Sequence, residues 1–282
     1  MAKRIHSKNS LVTYLLGGFF SLYVLFLYGP MFIIFLLSFQ GPTGGMTFPI
    51  QEYSLHWFKE LFSDNIAADV SGSFQRSIIL GLMVMTLTVT ISVIAALGFR
   101  RNFKGSGIMF YGAIISLIMP GFLISFGMGL ILQLLDIEST WYTTALGAQL
   151  TWTLPFGLLI MFAVLARFDR SVEEAARDLG ATSWQTMRYV VVPLLLPGIT
   201  GVALFGFTLS YDEIPRTTLV VGDSNTLPME ILAMTNTLTT PSLYAIGTLT
   251  TVVSVASITF ALFAIKRMQD RLGSSQIASS ES

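Results

Sequence analysis

Few side chains in this chain have the chemistry for catalysis. None of its 282 residues is cysteine, which excludes disulfides, thiolate nucleophiles and cysteine-ligated metals. The two histidines, His6 and His56, are far apart and lie outside the apolar runs, so no metal site and no cofactor are expected. No lysine is followed by Ser or Thr, so the Gly-Lys-Ser/Thr phosphate loop is missing and ATP cannot be hydrolysed by that route. Two clusters remain. In the first, Tyr211, Asp212 and Glu213 close an apolar run, where paired carboxylates could draw in a cation; the same acids also suit a solvated helix end or an ion pair with Arg216. Nearby aromatics such as Trp141, Tyr142 and Trp152 read as interface anchors or packing. The second cluster, Arg170–Pro193, suits mechanical contact. Val172, Ala175, Ala176 and Leu179 fall at i, i+3, i+4 and i+7, one stripe on a short helix. Ser171 followed by Glu174 reads as a capping box, Gly180 as a left-handed helix stop, and Ser183 as the cap of a second short helix running toward Pro193. Alanines on one face let such an element press into a groove on a partner; the alternative is a generic amphipathic loop helix.

These clusters are positioned by an apolar scaffold. The chain is 53% hydrophobic and 11% charged, whereas soluble domains carry roughly 25% charged residues, so lipid is its main solvent. Six runs have the length to cross a bilayer: Leu11–Leu37, Ser77–Phe99, Ile108–Leu135, Ala145–Ala166, Leu194–Tyr211 and Leu243–Ile265. They are continuous rather than alternating, so the expected fold is all-α and integral to the membrane, with six transmembrane helices. The first run is too long for a signal-peptide core and lacks a small-residue cleavage site, and it reads as a retained span. Kinks are expected at Pro120 and Pro155. Thirteen of the sixteen Lys and Arg residues fall on one side of this arrangement, including Lys3, Arg4, Lys8, Arg100, Arg101 and Arg170. The other side holds Lys59, Arg76 and Arg216 with most acids, Asp64 among them. The bias places both termini in the cytoplasm and is consistent with an even number of spans. The net charge is zero, so bulk charge says nothing about nucleic acid; no nucleic-acid partner is expected. In the loop after the first span, Leu55, Phe58, Leu61 and Phe62 suggest a short helix after a cap at Ser54. Pro228–Asn236 suggests another, and Gly273–Ser282 a disordered tail. The whole of 1–282 reads as one membrane-spanning domain with its core at about 70–265.

The Arg170–Pro193 segment resembles the permeases of ABC importers. Their cytoplasmic pattern is Glu-Ala-Ala, three residues, Gly, nine residues, an aliphatic, one residue, an aliphatic and Pro. Here it is Glu174-Ala175-Ala176, Gly180, Val190, Val192 and Pro193, with valines in place of the commoner Ile and Leu. The resemblance implies a coupling helix between spans four and five that docks on an ATP-binding subunit. Glu174 would bond near the docking surface, Ala175, Ala176 and Leu179 would meet the partner, and Gly180 would make the turn. It also implies a non-catalytic membrane subunit in a bacterial inner membrane. The partners would be two ATP-binding subunits, a second homologous permease and an external solute-binding protein, all in membrane lipid. Phe207–Ile214, Thr217–Gly222 and Leu227–Leu232 are similar to the spermidine/putrescine permease group, which implies a polyamine-like solute. Permeases for opines, thiamine and iron are related alternatives. A secondary transporter would instead favour inverted repeats and midplane charges, and a membrane enzyme would need a catalytic cluster within the spans.

Overall fold

The computed structural model describes residues 10–63, 68–100, 103–237 and 240–280. The predicted roles of Lys3, Arg4, His6, Lys8, Asp64 and Arg101 fall outside them. Among the described residues all regular elements are helical, apart from one β-bridge between Gln40 and Tyr53. In order they are α1 (Ser10–Leu37), α2 (His56–Glu60), α3 (Val70–Phe99), α4 (Ser106–Ile118), α5 (Gly121–Leu134) and α6 (Thr144–Leu165). There follow α7 (Ser171–Asp178), α8 (Ser183–Thr186), a π-helical turn Met187–Val191, α9 (Val192–Tyr211), α10 (Leu227–Thr237) and α11 (Ser242–Ser280). Five helical stretches are long and apolar enough to cross a membrane, and α4 with α5 makes a sixth segment if that bent pair is one span.

The predicted third span is not a kinked helix. It breaks between Ile118 and Gly121, and its halves are bent by 106°. Pro120 has no N–H to donate and drives the residue before it out of the α region; Met119 is extended, with φ −66° and ψ 127°. Pro155, by contrast, lies inside an uninterrupted α6. The fifth span also differs: α8, the π turn and α9 run on as one stretch, Ser183–Tyr211, rather than starting at Leu194. The Val192 N–H donates to Met187 O, five residues back, the π spacing that accommodates Pro193 in a continuing helix. The helix α3 begins seven residues before Ser77, because Asp69 accepts the Gly72 N–H at 2.9 Å and caps a polar first turn. At the other end of the chain α11 runs to Ser280 rather than giving way to a disordered tail at Gly273; one glycine costs a helix only about 1 kcal/mol.

By Cα packing the chain divides into two compact units. One comprises Met1–Ala67 with Met234–Val252. There the Ser54 hydroxyl accepts the His56 N–H at 3.1 Å, while the cap position of α2 is Leu55, one residue beyond the cap expected at Ser54. Gln40, fully buried, bridges the loop by donating to Gly45 O and accepting from Gln51 N.

The other unit, Ala68–Ala233 with Val253–Ser282, holds both candidate clusters. Its centre is α3, α6 and α9, packed around Leu80, Val84, Ala145 and Ala148 at one level and Ala96, Met161, Leu195 and Val202 at another. Small residues let these backbones approach, as is usual in lipid. A Cβ at Gly157 would strike Thr88 Cγ2 at 2.9 Å and overlap Ser92 Oγ. Several interior polar groups are paired: the Gln149 amide donates to Thr217 Oγ1 at 2.9 Å and accepts from Ser210 Oγ at 2.5 Å. Thr88 donates to Thr153 at 3.0 Å. The irregular stretch from Asp212 to Thr226 is tolerated because it is buried against these helices, with Glu213, Arg216, Thr217, Val220 and Thr226 inside.

Candidate functional site

The two short helices after α6 form a projecting knuckle. Asp169 starts α7 by accepting the Ser171 N–H at 2.9 Å. That bond, with the Ser171 hydroxyl, holds the Asp169 carboxyl below the usual carboxylate range. Ser171 is therefore the first helical residue, not the cap, and the capping box with Glu174 does not form. A capping box does exist one helix later. Thr182 Oγ1 accepts the Gln185 N–H, and Gln185 Oε1 accepts the Thr182 N–H, so Thr182, not Ser183, caps α8.

Between the two helices Gly180 has φ +88°. Its N–H donates to Arg177 O at 2.8 Å and the Ala181 N–H to Ala176 O at 3.0 Å. These paired bonds are a Schellman stop, which needs a left-handed residue at Gly180. The turn throws the apolar side chains outward: Leu179 is 89% exposed and Trp184 69%. Glu174 and Ala175 are exposed and Ala176 half-buried. Pro193 stands apart from this tip, in the first turn of α9.

The knuckle is anchored from behind. Glu173 Oε1 lies 2.6 Å from Arg100 Nη2, an ion pair outside hydrogen-bond angles, with the two side chains 13% and 18% exposed. The Arg100 guanidinium also sits 5.3 Å from the Phe168 ring centroid. Arg100, Arg170, Glu173, Glu174 and Arg177 line a cleft of about 360 Å³ behind α7. The sequence reading nominated Glu174 and passed over Glu173 and Arg100. Nothing in the sequence marked the pair, because the burial that calls for a partner appears only in the fold.

The second cluster does not act as one group. Tyr211 is buried, its ring stacked on Phe207 with centroids 5.9 Å apart. Asp212 is exposed. Glu213 is buried and committed: Oε1 accepts the Arg216 N–H at 2.8 Å and lies 3.6 Å from Arg216 Nη1. Arg216 in turn sits 4.6 Å over the Trp152 ring and donates to Met119 O at 3.5 Å. That carbonyl is one that the break at Pro120 frees. Of the alternatives open for the acids, the pairing with Arg216 holds for Glu213 and leaves Asp212 as the accessible carboxylate. No group of His, Asp and Glu among the described residues could hold a metal.

A family model described as "Binding-protein-dependent transport system inner membrane component" matches residues 88–272. The chain belongs to that family. Permease protein PotC of the spermidine/putrescine transport system of Escherichia coli (strain K12) is 26% identical over 248 residues, covering 86% of this chain and 90% of its own. The putrescine transport system permease protein PotI of the same strain is 27% identical over 232 residues, 79% and 81% of the two chains. Among solved structures, a chain of a bacterial ABC transporter involved in alginate import superposes with TM-score 0.61 at 14% identity, covering 94% of this chain and 99% of that one. A chain of an amino acid ABC transporter gives TM-score 0.55 at 17% identity, over 74% and 95%. The fold is thus that of ABC transporter membrane chains, and the resemblance carried by Glu174–Pro193 holds at the level of the family. This protein is a membrane-embedded permease subunit of a binding-protein-dependent transport system.

Proposed function

We propose that this chain is the permease subunit of an ATP-driven ABC importer, forming half of the path for a polyamine-like cation such as spermidine or putrescine. The knuckle Ser171–Val191 docks on an ATP-binding subunit. The observation that carries this reading is an exposed Leu179 and Trp184 at the tip of a helix pair that is continuous with a membrane span. An apolar tip with no partner in its own fold calls for one outside it, and a continuous helix transmits its displacement. ATP hydrolysis belongs to the separate subunit, because this chain lacks the phosphate-loop lysine motif. The assembly comprises two ATP-binding subunits, a second homologous permease and a solute-binding protein. The Lys and Arg bias puts the knuckle and both termini in the cytoplasm. The polyamine assignment is supported by the relatives at 26% and 27% identity and by Asp212, an exposed carboxylate at the opposite end of α9.

Reconstitution of the assembled transporter tests both halves. Leu179→Glu places a charge in the docking face; the ATP-binding subunit is expected to dissociate and ATP-dependent uptake of labelled spermidine to cease. Asp212→Asn is expected to keep the assembly and lower spermidine uptake. Full assembly of the Leu179→Glu variant would overturn the docking site, and unchanged uptake by Asp212→Asn would overturn the role of that acid.

A further inference from the structure

The docking reading leaves open how motion at the knuckle reaches the far face of the membrane. The obvious route is α9, but it begins in a π turn and carries Pro193 and Pro197, which make it deformable. On the basis of that reading, we propose that α3 is the rod that carries knuckle motion across the membrane, fastened at both ends by charged and polar contacts.

The inner fastening is the Arg100–Glu173 pair. Arg100 is the C-cap residue of α3, where a cation is favoured by the helix dipole. Its partner lies in the first turn of α7, and both side chains are shielded from water. The outer fastening is a closed ring. Arg76 pairs with Asp69 at 2.9 Å and donates to Asn225 O at 2.7 Å. The Asn225 amide donates to Glu230 Oε2 at 2.8 Å, and Glu230 Oε1 accepts the Asp69 N–H at 3.0 Å. At the next residue, Ser77 Oγ accepts the Leu227 N–H at 2.8 Å. This ring ties the first two turns of α3 to the start of α10 and the stretch before it. Between the fastenings α3 runs 30 residues without a proline, about 45 Å at 1.5 Å per residue, longer than the hydrocarbon core. A stiff rod held at both ends has no loop in which to absorb movement. Arg100 is thus a positioning residue, acting through Glu173 and α3 on the segment around Asn225.

The absence of cysteine makes the test direct. Ser224, exposed beside Asn225, becomes the sole thiol in Ser224→Cys. The assembled transporter, with its ATP-binding subunits, is reconstituted, and a membrane-impermeant maleimide reports the labelling rate with and without ATP. In Ser224→Cys alone, ATP is expected to change that rate. Adding Arg100→Ala is expected to shrink the change about tenfold, within the usual range for coupled sites, while the ATP-binding subunit stays bound and hydrolysis continues. Arg100→Lys, and the swap of Arg100→Glu with Glu173→Arg, are expected to restore it. A full ATP-dependent change in Arg100→Ala would overturn the rod while leaving docking intact. So would a labelling rate indifferent to ATP in Ser224→Cys with a bound, hydrolysing subunit. Failure of Ser224→Cys to retain any ATP-binding subunit would remove the docking reading, and the proposal with it.

Discussion

Replacing Gly180 isolates the contribution of the knuckle's turn. Its φ of +88° is left-handed, and a Cβ built there meets nothing within 4 Å. No neighbour has to move, so the penalty is confined to the backbone. An L residue in that region costs about 1–2 kcal/mol, and a β-branched one lies at the upper end. If the Schellman turn is what presents Leu179 and Trp184, this converts to a docking affinity lower by about 5- to 30-fold. Asparagine, the other residue that tolerates this conformation, is expected to lose about threefold or less. The assay is titration of the ATP-binding subunit onto the permease in nanodiscs, with thermal unfolding of each variant alongside. The predicted order of affinity is Gly, Asn, Ala, Val, at constant Tm, because the turn at Gly180 is exposed and lies outside the packed core. Binding by Gly180→Val equal to that of the parent would refute the reasoning. So would a Val effect matched by Asn, or one that follows a fall in Tm.

Three other perturbations probe the scaffold. Gly157→Val drives methyl groups into Ser92 and Thr88 at the α3–α6 contact and is expected to cost about 1–3 kcal/mol, read as a lower unfolding midpoint in detergent. Gln149→Leu strips the hydrogen-bond partners from buried Ser210 and Thr217; a loss of about 1–2 kcal/mol is expected in the same assay, and an unchanged midpoint would contradict the network's role. The Asp69 carboxyl is held below its ordinary value of 3.8, first by the Gly72 N–H and then by Arg76. A depressed pKa stabilises the fold above the unfolded value and is lost as pH falls through the folded one. The outer ring is therefore expected to hold at neutral pH and to loosen only in acid below 3.8, and Asp69→Asn is expected to abolish that acid dependence of Tm.

Where the bilayer dictates structure, the sequence was easy to read. A long apolar run has no choice but to be a helix; α1, α3 and α11 contain the runs predicted for them, and α6 ends at Leu165, one residue short of its run. Gly180 was legible too, since a glycine after an apolar stripe has few other uses. The misreadings occur where distant partners decide. The polar first turns of α3 look like loop until Asn225 and Glu230, some 150 residues away, complete their hydrogen bonds. Arg100 reads as one more topology-setting cation until the fold brings it to Glu173. Pro120 resembles Pro155 in sequence, yet only Pro120 breaks the helix, and Arg216 is at hand to bind the Met119 carbonyl in the gap. At the knuckle the register of the caps was off by one or two: Asp169 accepts the Ser171 N–H and Thr182 the Gln185 N–H.

The docking of the knuckle on an ATP-binding subunit is tested most directly by one thiol. Leu179→Cys, in a chain with no other cysteine, is treated in sealed right-side-out vesicles with an impermeant reagent, and then in open membranes with a short bifunctional crosslinker. The account predicts protection from the reagent and a crosslink from residue 179 to the ATP-binding subunit. Labelling from outside, or a crosslink to lipid and permease alone, would contradict it.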